Sequence, residues 1–366
     1  MNTRRKLILT VGAGALAIPL FARAQQTDRI RRIGVLQYRT LRVIFLAILA
    51  LLATPGAGEA QSKKSPRLCF LTFDPGTFST RSARFDGFFN GLQDLGYVQG
   101  RNIDITYLSA DNNGDRFPTL IDECLSLKPD VIAVTTTPAA HLLKKATRTI
   151  PIVMVALGDP LGTGLVDSLS RPSENITGMS LMVPQLAVKR FELLKELIPG
   201  ISRVLVLSFL ADPIAPIQVK AMEEAARSLG VTLQVQDIRT ADDITAAFAA
   251  ASRARAQGVL VTEESMFIVH RARVTELAAR HKLPAMYPFL LPVTDANGLM
   301  AYTVKAPELH RHAAAYVDRI LKGAKVTDLP VQQPTQFEFV INLKTAKALG
   351  ITIPQSMLIR ADRVIE

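Results

Sequence analysis

The alternation of short apolar runs with amphipathic helical segments constrains the fold of this chain more than any other feature of its sequence. From residue 66 onward, apolar runs of strand length alternate with segments in which apolar residues recur every three or four positions. The first series predicts strands at 68–73, 103–107, 131–134, 152–155 and 176–181 and helices at 84–95, 117–127 and 138–146. Because such a series builds a parallel sheet with helices on both faces, it predicts a doubly wound α/β lobe.

The same alternation then starts again with an amphipathic helix at 188–198. The second series predicts strands at 204–207, 231–235, 259–261 and 285–287 and helices at 217–229, 244–254 and 267–280. Further elements, which exceed what a second lobe needs, are predicted at 298–304, 309–321, 337–341 and 344–349. The sequence therefore predicts two doubly wound lobes of similar size, between which the chain crosses back.

The N-terminal segment does not follow this alternation. Residues 1–24 combine a basic start, a short apolar stretch and small residues before Gln25, a pattern typical of a signal peptide. Residues 25–65 contain a second signal-like segment, which we interpret as a duplicated start that is disordered or artefactual. The alternative is a membrane anchor at 41–53, but this run is shorter than the ~20 apolar residues that a membrane span needs. The general secretory and twin-arginine export routes both fit the pattern.

The formal net charge of +11 is concentrated in the same N-terminal segment. Residues 1–60 contain nine of the 43 Lys and Arg residues but only two of the 32 Asp and Glu residues. The rest of the chain is therefore only mildly basic, and the nucleic-acid partner that a basic protein would suggest is not expected. We predict an exported, periplasmic protein, with no lipid anchor because no cysteine follows either cleavage-like site.

Polar side chains at the ends of the predicted strands are the candidate ligand-binding residues, since ligands of open parallel sheets bind beyond the carboxyl ends of the strands. Thr135, Thr136 and Thr137 follow a buried strand and open a helix, where hydroxyls and free N–H groups donate to a carboxylate. Helix capping alone is the alternative for each threonine. An acidic side chain could instead accept from a ligand ammonium group. The other candidates each lie at or just after the end of a predicted strand. They are Asp74, Asp159, Asp212, Glu263 and Tyr287.

Several of these candidates also have a purely structural interpretation. Asp159 lies on a turn framed by glycine and proline, and a turn-forming role fits it equally well. Glu263 suits a solvated loop charge as well as a position facing the ligand. Tyr287 could stack on a flat ligand, yet aromatic residues at strand ends more often belong to the core.

Sequence signatures of catalysis are absent. The chain contains neither a Gly-x-Ser-x-Gly elbow nor a Gly-Lys-Ser/Thr phosphate loop, and its five histidines are scattered over predicted helices. We therefore expect no enzymatic activity, no metal site and no cofactor. Cys69 and Cys124 could pair in an exported protein or remain buried free thiols.

Five stretches of the sequence resemble the tryptophan/tyrosine-type ABC transporter substrate-binding protein family. They include Gly158-Asp159-Pro160 and Asn175-Ile176-Thr177-Gly178. The resemblance extends from about residue 67 to the end. The five stretches are 91–103, 150–166, 168–178, 278–287 and 329–347.

This resemblance implies a periplasmic binding protein type I fold, with two Rossmann-like lobes and three crossovers. Lobe one would contain 66–181 and 295–330, and lobe two 182–294 and 331–366. The implied function is that of the periplasmic substrate-binding component of an ABC importer, which binds a small amino-acid-like solute between the lobes. The threonines would bind its carboxylate, and Asp159 or Glu263 its amine. The implied partner is a permease in the inner membrane, and we expect a monomer.

Two departures from the family pattern leave the solute open. Relatives commonly have Asn-Pro-x-Asn-Pro where this chain has Phe209-Leu210-Ala211-Asp212-Pro213, and an Asp-Pro pair where it has Glu263-Glu264. Both departures fall in the predicted cleft. The alternative function is a ligand-sensing domain that presents a solute to a signalling receptor.

Overall fold

The structure, a computed structural model, describes residues 65–366. Both signal-like segments predicted from the sequence lie outside the described residues. No helix within the described part of the chain is long and apolar enough to cross a membrane.

Five parallel strands form the first sheet, in the order β2-β1-β3-β4-β5. Alternate residues of β1 point to opposite faces, so that Leu68 and Phe70 join one apolar cluster while Cys69 and Leu71 join another. Helices cover both faces, and the sheet with these helices is lobe one. Its strands are β1 (Arg67–Thr72), β2 (Asp104–Ser109), β3 (Val131–Val134), β4 (Ile152–Leu157) and β5 (Ile176–Ser180), and its first helices are α1 (Asp86–Asp94), α2 (Phe117–Ser126) and α3 (Thr137–Ala146).

The second sheet has seven strands in the order β12-β11-β10-β9-β8-β6-β7, and only the β10–β11 pair is antiparallel. With its helices this sheet is lobe two. Its strands are β6 (Arg203–Ser208), β7 (Thr232–Asp237), β8 (Gly258–Val261), β9 (Ala285–Tyr287), β10 (Met300–Val304), β11 (Phe337–Asn342) and β12 (Arg363–Ile365). The helices that follow α3 in the chain are α4 (Val183–Leu197), α5 (Ala215–Leu229), α6 (Ala241–Arg253), α7 (Ser265–Val269), α8 (Arg271–Arg280), α9 (Leu291–Thr294), α10 (Ala306–Leu321), α11 (Leu343–Leu349) and α12 (Gln355–Arg360).

Local sequence signals set the ends of several helices. At the start of α6, Thr240 and Asp243 form a reciprocal capping box, in which each side chain accepts from the backbone N–H of the other. At the end of α5, Gly230 adopts a left-handed conformation with φ of 64°. The predicted end of α5 at 229 is confirmed, whereas the predicted start of α6 at 244 lies three residues inside the observed helix.

The chain crosses between the lobes three times, as the resemblance implied. One crossing follows β5, another follows β10, and the last precedes β11. After β10 the chain returns to lobe one, where α10 packs against α1 and against β4. The backbone N–H of Lys305 donates to the carbonyl of Gln336 at 3.1 Å, so the second and third crossings run side by side.

The structure corrects one boundary of the predicted lobes. Residues 295–330 were expected to return to lobe one as a block, but β10 pairs with β9 and β11 and therefore belongs to the sheet of lobe two. The physical reason is that β10 completes the second sheet before the chain leaves it. Only from α10 onward does the segment lie on lobe one.

Other differences concern short elements. The helix expected over 267–280 is interrupted at His270, which has φ of −90° and ψ of 16°, and it forms α7 and α8. The sequence analysis did not predict α9, α12 or β12, which span only four, six and three residues. Elements of this length are too short to show a periodic apolar pattern.

Substitution of Gly178 by alanine should destabilise lobe one. Gly178 lies on β5 with φ of 133°, and an added Cβ would clash with the backbone carbonyl of Met154 on β4. We expect Gly178→Ala to lower the free energy of unfolding by about 2 kcal/mol, as measured by urea denaturation. The matched control is Gly200→Ala, where nothing lies within 4 Å of the added Cβ. Equal stability of the two variants would contradict this account.

Candidate functional site

A cavity of about 620 Å³ lies where the carboxyl ends of the two sheets face each other, and residues of both lobes line it. Lobe one contributes Thr135, Thr136 and Thr137 after β3. Lobe two contributes Asp212 after β6 and Glu263 after β8. These five predicted residues are thus brought together, because parallel strands all end at the same edge of a sheet.

Thr136 and the start of α3 form part of the lobe-one wall of the cavity. Thr136 is the N-cap residue of α3, yet its side chain makes no capping bond and its buried hydroxyl has no hydrogen-bond partner. The first N–H groups of α3 have no acceptor within the helix. The hydroxyl of Thr135 instead donates to that of Thr72 at 3.0 Å. Side-chain capping therefore does not account for Thr136, whose hydroxyl has no partner among residues 65–366.

Arg84 adds a positive charge to this wall, and the sequence analysis did not identify it. Its guanidinium forms an ion pair with Asp74 at 2.8 Å, and its buried Nε has no hydrogen-bond partner. Asp74 itself does not line the cavity. Burial raises the pKa of Asp74, and the charge of Arg84 opposes that rise. Asp74 thus holds Arg84 in place rather than facing a ligand.

The turn that carries Arg84 is fixed by packing from two directions. The neighbouring Phe85 packs its ring against Phe70 of β1, with the ring centroids 5.2 Å apart. From α10, Nδ1 of His310 hydrogen-bonds to the carbonyl of Arg84 at 2.9 Å. Burial lowers the pKa of His310 to about 4, so this histidine is neutral at physiological pH. No local sequence signal marks this arrangement, because its partners are far apart in the chain.

On the lobe-two wall, the charge of Glu263 is already compensated. Arg190 of α4 forms an ion pair with Glu263 at 2.8 Å, and both side chains are only 2% exposed. The Nε of Arg190 also donates to the carbonyl of Tyr302 at 2.7 Å. Burial raises the pKa of Glu263, and Arg190 opposes the rise. Glu263 was one of the two expected partners of a ligand amine, but its negative charge is shared with this arginine.

Asp212 is the acidic side chain of the wall that lacks a cationic partner. It is 7% exposed and accepts one hydrogen bond, from the backbone N–H of Ile214 at 3.1 Å. Among residues 65–366, no basic side chain forms an ion pair with it. Burial raises the pKa of Asp212 to about 7. A ligand ammonium group placed here would supply the missing positive charge.

Like Asp74, two further predicted residues lie outside the cavity. Oδ1 of Asp159 accepts from the backbone N–H of Gly162 at 2.9 Å, which is the contact of a turn-forming residue. Tyr287 is 2% exposed and packs within an apolar cluster of lobe two. For both residues, the contacts are those of the structural interpretation.

Apolar side chains make up most of the remaining cavity wall. They come from the strand ends of lobe one, from the loops of lobe two and from the turn beside Arg84. A wall of this kind suits a ligand with an apolar body and polar groups at a few fixed positions. The main apolar lining residues are Phe85, Val155, Leu157, Leu181, Ile214, Ile268, Phe289 and Leu290.

Comparison with known proteins gives the family of this chain. A family model described as ABC transporter substrate binding protein matches residues 78–365. The chain belongs to the ABC transporter substrate-binding protein family. The resemblance seen in the sequence is thus confirmed, and the members of this family are binding proteins.

Individual proteins are also similar to this chain in sequence and in structure. A tyrosine-binding protein of Clostridioides difficile is 28% identical over 266 residues, which are 72% of this chain and 76% of that protein. A conserved domain protein from Vibrio cholerae has a TM-score of 0.76 and 26% identity, covering 82% of this chain and all of its own. An ABC domain from Streptococcus pneumoniae, solved in complex with L-Trp, has a TM-score of 0.74 and 25% identity with the same coverage.

Loss of Arg190 should destabilise this substrate-binding protein. Arg190→Met keeps the length of the side chain but leaves Glu263 as an uncompensated buried charge. We expect the free energy of unfolding to fall by about 3–5 kcal/mol in urea denaturation at pH 8. The control is Arg360→Met, which removes a half-exposed pair with Glu196 and should cost at most about 1 kcal/mol. If both variants lost the same stability, the compensation of Glu263 would be refuted.

Proposed function

We propose that this protein is the periplasmic substrate-binding component of an ABC importer and that it captures an amino acid with an apolar or aromatic side chain. One observation carries the proposal. The cavity has hydrogen-bond donors and a positive charge on its lobe-one wall and an unpaired carboxyl group, Asp212, on its lobe-two wall. This arrangement matches the two charges of a zwitterion.

In this proposal the α-carboxylate binds at the start of α3. The hydroxyl of Thr136 and the free N–H groups of the first helical turn donate to it, and the partial positive charge of the helix N-terminus favours it. Arg84 lies on the same wall, and its guanidinium keeps its ion pair with Asp74. Thr135 supports the neighbouring backbone through its bond to Thr72.

The ammonium group of the same amino acid binds to Asp212. A charge-assisted hydrogen bond forms there, and the ligand neutralises a carboxyl group that the protein itself leaves without a cation. Glu263 remains next to this position but keeps its pair with Arg190. The side chain of the amino acid then lies among the apolar residues of the cavity wall.

A ligand held in this way bridges the two lobes. Its carboxylate is bound by lobe one and its ammonium by lobe two, so it stabilises the arrangement in which the lobes are close. A permease in the inner membrane would recognise this closed form, with the binding protein acting as a monomer. Relatives that are named for binding tyrosine or solved with L-Trp support the choice of an amino acid.

A thermal-shift panel tests the proposed function. L-tryptophan, L-tyrosine, L-phenylalanine and L-leucine are added to residues 65–366, with glycine and D-glucose as controls. At a hundredfold excess over Kd, a true ligand should raise the free energy of unfolding by about 2.7 kcal/mol, whereas the controls should have no effect. Failure of all four amino acids to stabilise the protein would contradict the proposal.

The role of Thr136 is tested with a volume-conserving substitution. Thr136→Val removes the free hydroxyl, and we expect it to weaken binding of the best amino acid about tenfold because a hydrogen bond to a charged group is lost. Isothermal titration calorimetry measures the change. The matched control is Thr119→Val on the exposed surface of α2, which should leave the affinity unchanged. If Thr136→Val bound the amino acid with the same affinity as the unsubstituted protein, the proposed position of the carboxylate on this wall would be refuted.

A further inference from the structure

Asp212 has a second buried carboxyl group behind it. Glu264 is 2% exposed and does not line the cavity. The two are joined through one turn, because the N–H of Phe209 donates to Oε2 of Glu264 at 3.4 Å while the N–H of Asp212 donates to the carbonyl of Phe209 at 3.0 Å. Asp212 therefore faces the cavity, and Glu264 lies on the protein side of the same turn.

Three donors hold Glu264 in place. Besides the N–H of Phe209, the hydroxyl of Thr262 donates to Oε2 at 2.5 Å and the side-chain amide of Gln218 donates to Oε1. These contacts are hydrogen bonds from neutral groups, and none of them brings a positive charge. Glu264 is thus well bonded but electrostatically uncompensated.

The other charged groups around this wall are engaged elsewhere or lie farther along the cavity. Each acidic neighbour has its own arginine, so none of these arginines is free to neutralise the Asp212–Glu264 pair. The ion pairs are Glu263 with Arg190, Asp237 with Arg239, Asp74 with Arg84 and Glu338 with Arg363. The remaining titratable residues on the cavity wall are Lys305, Glu308 and His310, the last of which is neutral.

Near neutral pH, two buried carboxyl groups without an ion-pair partner among residues 65–366 are not both ionised. Burial raises the pKa of each, and the charge of Asp212 raises the pKa of Glu264 further. In a coupled pair the proton belongs to both groups rather than to one. Without a ligand, burial and this mutual repulsion favour a proton held on the pair.

We infer that ligand capture is an exchange of cations, in which the ammonium group of the ligand replaces the proton held by Asp212 and Glu264. This inference rests on the proposed function and adds the requirement for a protonated amine. No covalent bond to the ligand forms. The proton leaves Asp212 for the solvent, the carboxylate remains, and the ligand ammonium supplies the balancing charge.

The sign of the pH dependence follows from this exchange. The empty protein must give up a proton to bind, so lowering the pH favours the empty form and weakens binding. Affinity should fall by up to about tenfold for each pH unit below 7 and should level off above pH 8. An uncharged amine derivative cannot replace the proton and should bind poorly at every pH.

The first test is calorimetry of residues 65–366 with whichever of L-tryptophan, L-tyrosine, L-phenylalanine and L-leucine gives the largest thermal shift. Titrations at pH 6 in two buffers of different ionisation enthalpy count the protons released. We expect nearly one proton per site at pH 6 and almost none at pH 8.5. The N-acetyl derivative of the same amino acid should bind at least a hundredfold more weakly at pH 8.

Variants separate the two carboxyl groups. Asp212→Asn should abolish proton release and flatten the pH profile, with weaker binding at pH 8. Glu264→Gln should move the midpoint of the profile to lower pH, because Asp212 then ionises without a second charge behind it. A purely structural role of Glu264 would not move the midpoint. The control Glu224→Gln, on the exposed face of α5, should leave the profile unchanged.

The outcomes distinguish this inference from the proposed function. Tight binding of an amino acid without proton release, or with constant affinity between pH 5.5 and pH 8, would overturn the exchange and leave the proposed function intact. If Glu264→Gln left the midpoint of the pH profile unchanged, that result would likewise overturn the inference that the two carboxyl groups share the proton. Absence of binding by all four amino acids would contradict the proposed function itself.

Carbon-13 NMR of the unliganded protein provides a test that needs no ligand. The side-chain carboxyl resonance of Asp212, assigned by its loss in Asp212→Asn, reports the titration directly. We expect a midpoint near neutral pH. A midpoint below pH 5 would mean that no proton is held in the empty cavity and would overturn the inference.

Discussion

A parallel sheet that is covered by helices on both faces leaves only its strand ends accessible to a ligand. Both lobes of this protein obey that constraint: their strand interiors are buried, and β3 and β8 are buried along their whole length. The polar side chains that can meet a ligand therefore lie at the strand ends, in the loops that follow them and on the helical segments beside them. Since the carboxyl ends of the two sheets face each other, loops of both lobes line the same cavity.

Some of the charged side chains at that cavity belong to buried ion pairs. Each lobe buries an arginine beside an acidic residue, Arg84 with Asp74 in lobe one and Arg190 with Glu263 in lobe two. In lobe one the arginine faces the cavity, whereas in lobe two the acidic residue does. Asp212 adds an uncompensated carboxyl group to the second wall. Arg84 and Asp212 thus lie on the lobe-one and the lobe-two wall of the cavity, respectively.

Most of the fold could be predicted from the sequence, because the burial of each strand and helix leaves a local periodic pattern. The predicted strand at 131–134 has the observed bounds of β3, and the helix at 217–229 differs from α5 only at its start. The site was predicted less completely. Thr136 and Asp212 were identified by their place after a strand, but Arg84 and Arg190 were not, because each lies on a helical segment rather than at a strand end.

The sequence by itself determined the two α/β lobes, the family and the strand ends at which ligand-binding residues must lie. Only the tertiary structure decided which of those residues are free. It placed Asp159 in a turn and Tyr287 in the core, gave Glu263 a cationic partner and left Asp212 without one. The physical reason is that the apolar pattern of a strand or helix involves only residues that are close in the sequence. The protonation and pairing of a buried charge depend instead on its distance to groups that only the fold brings together.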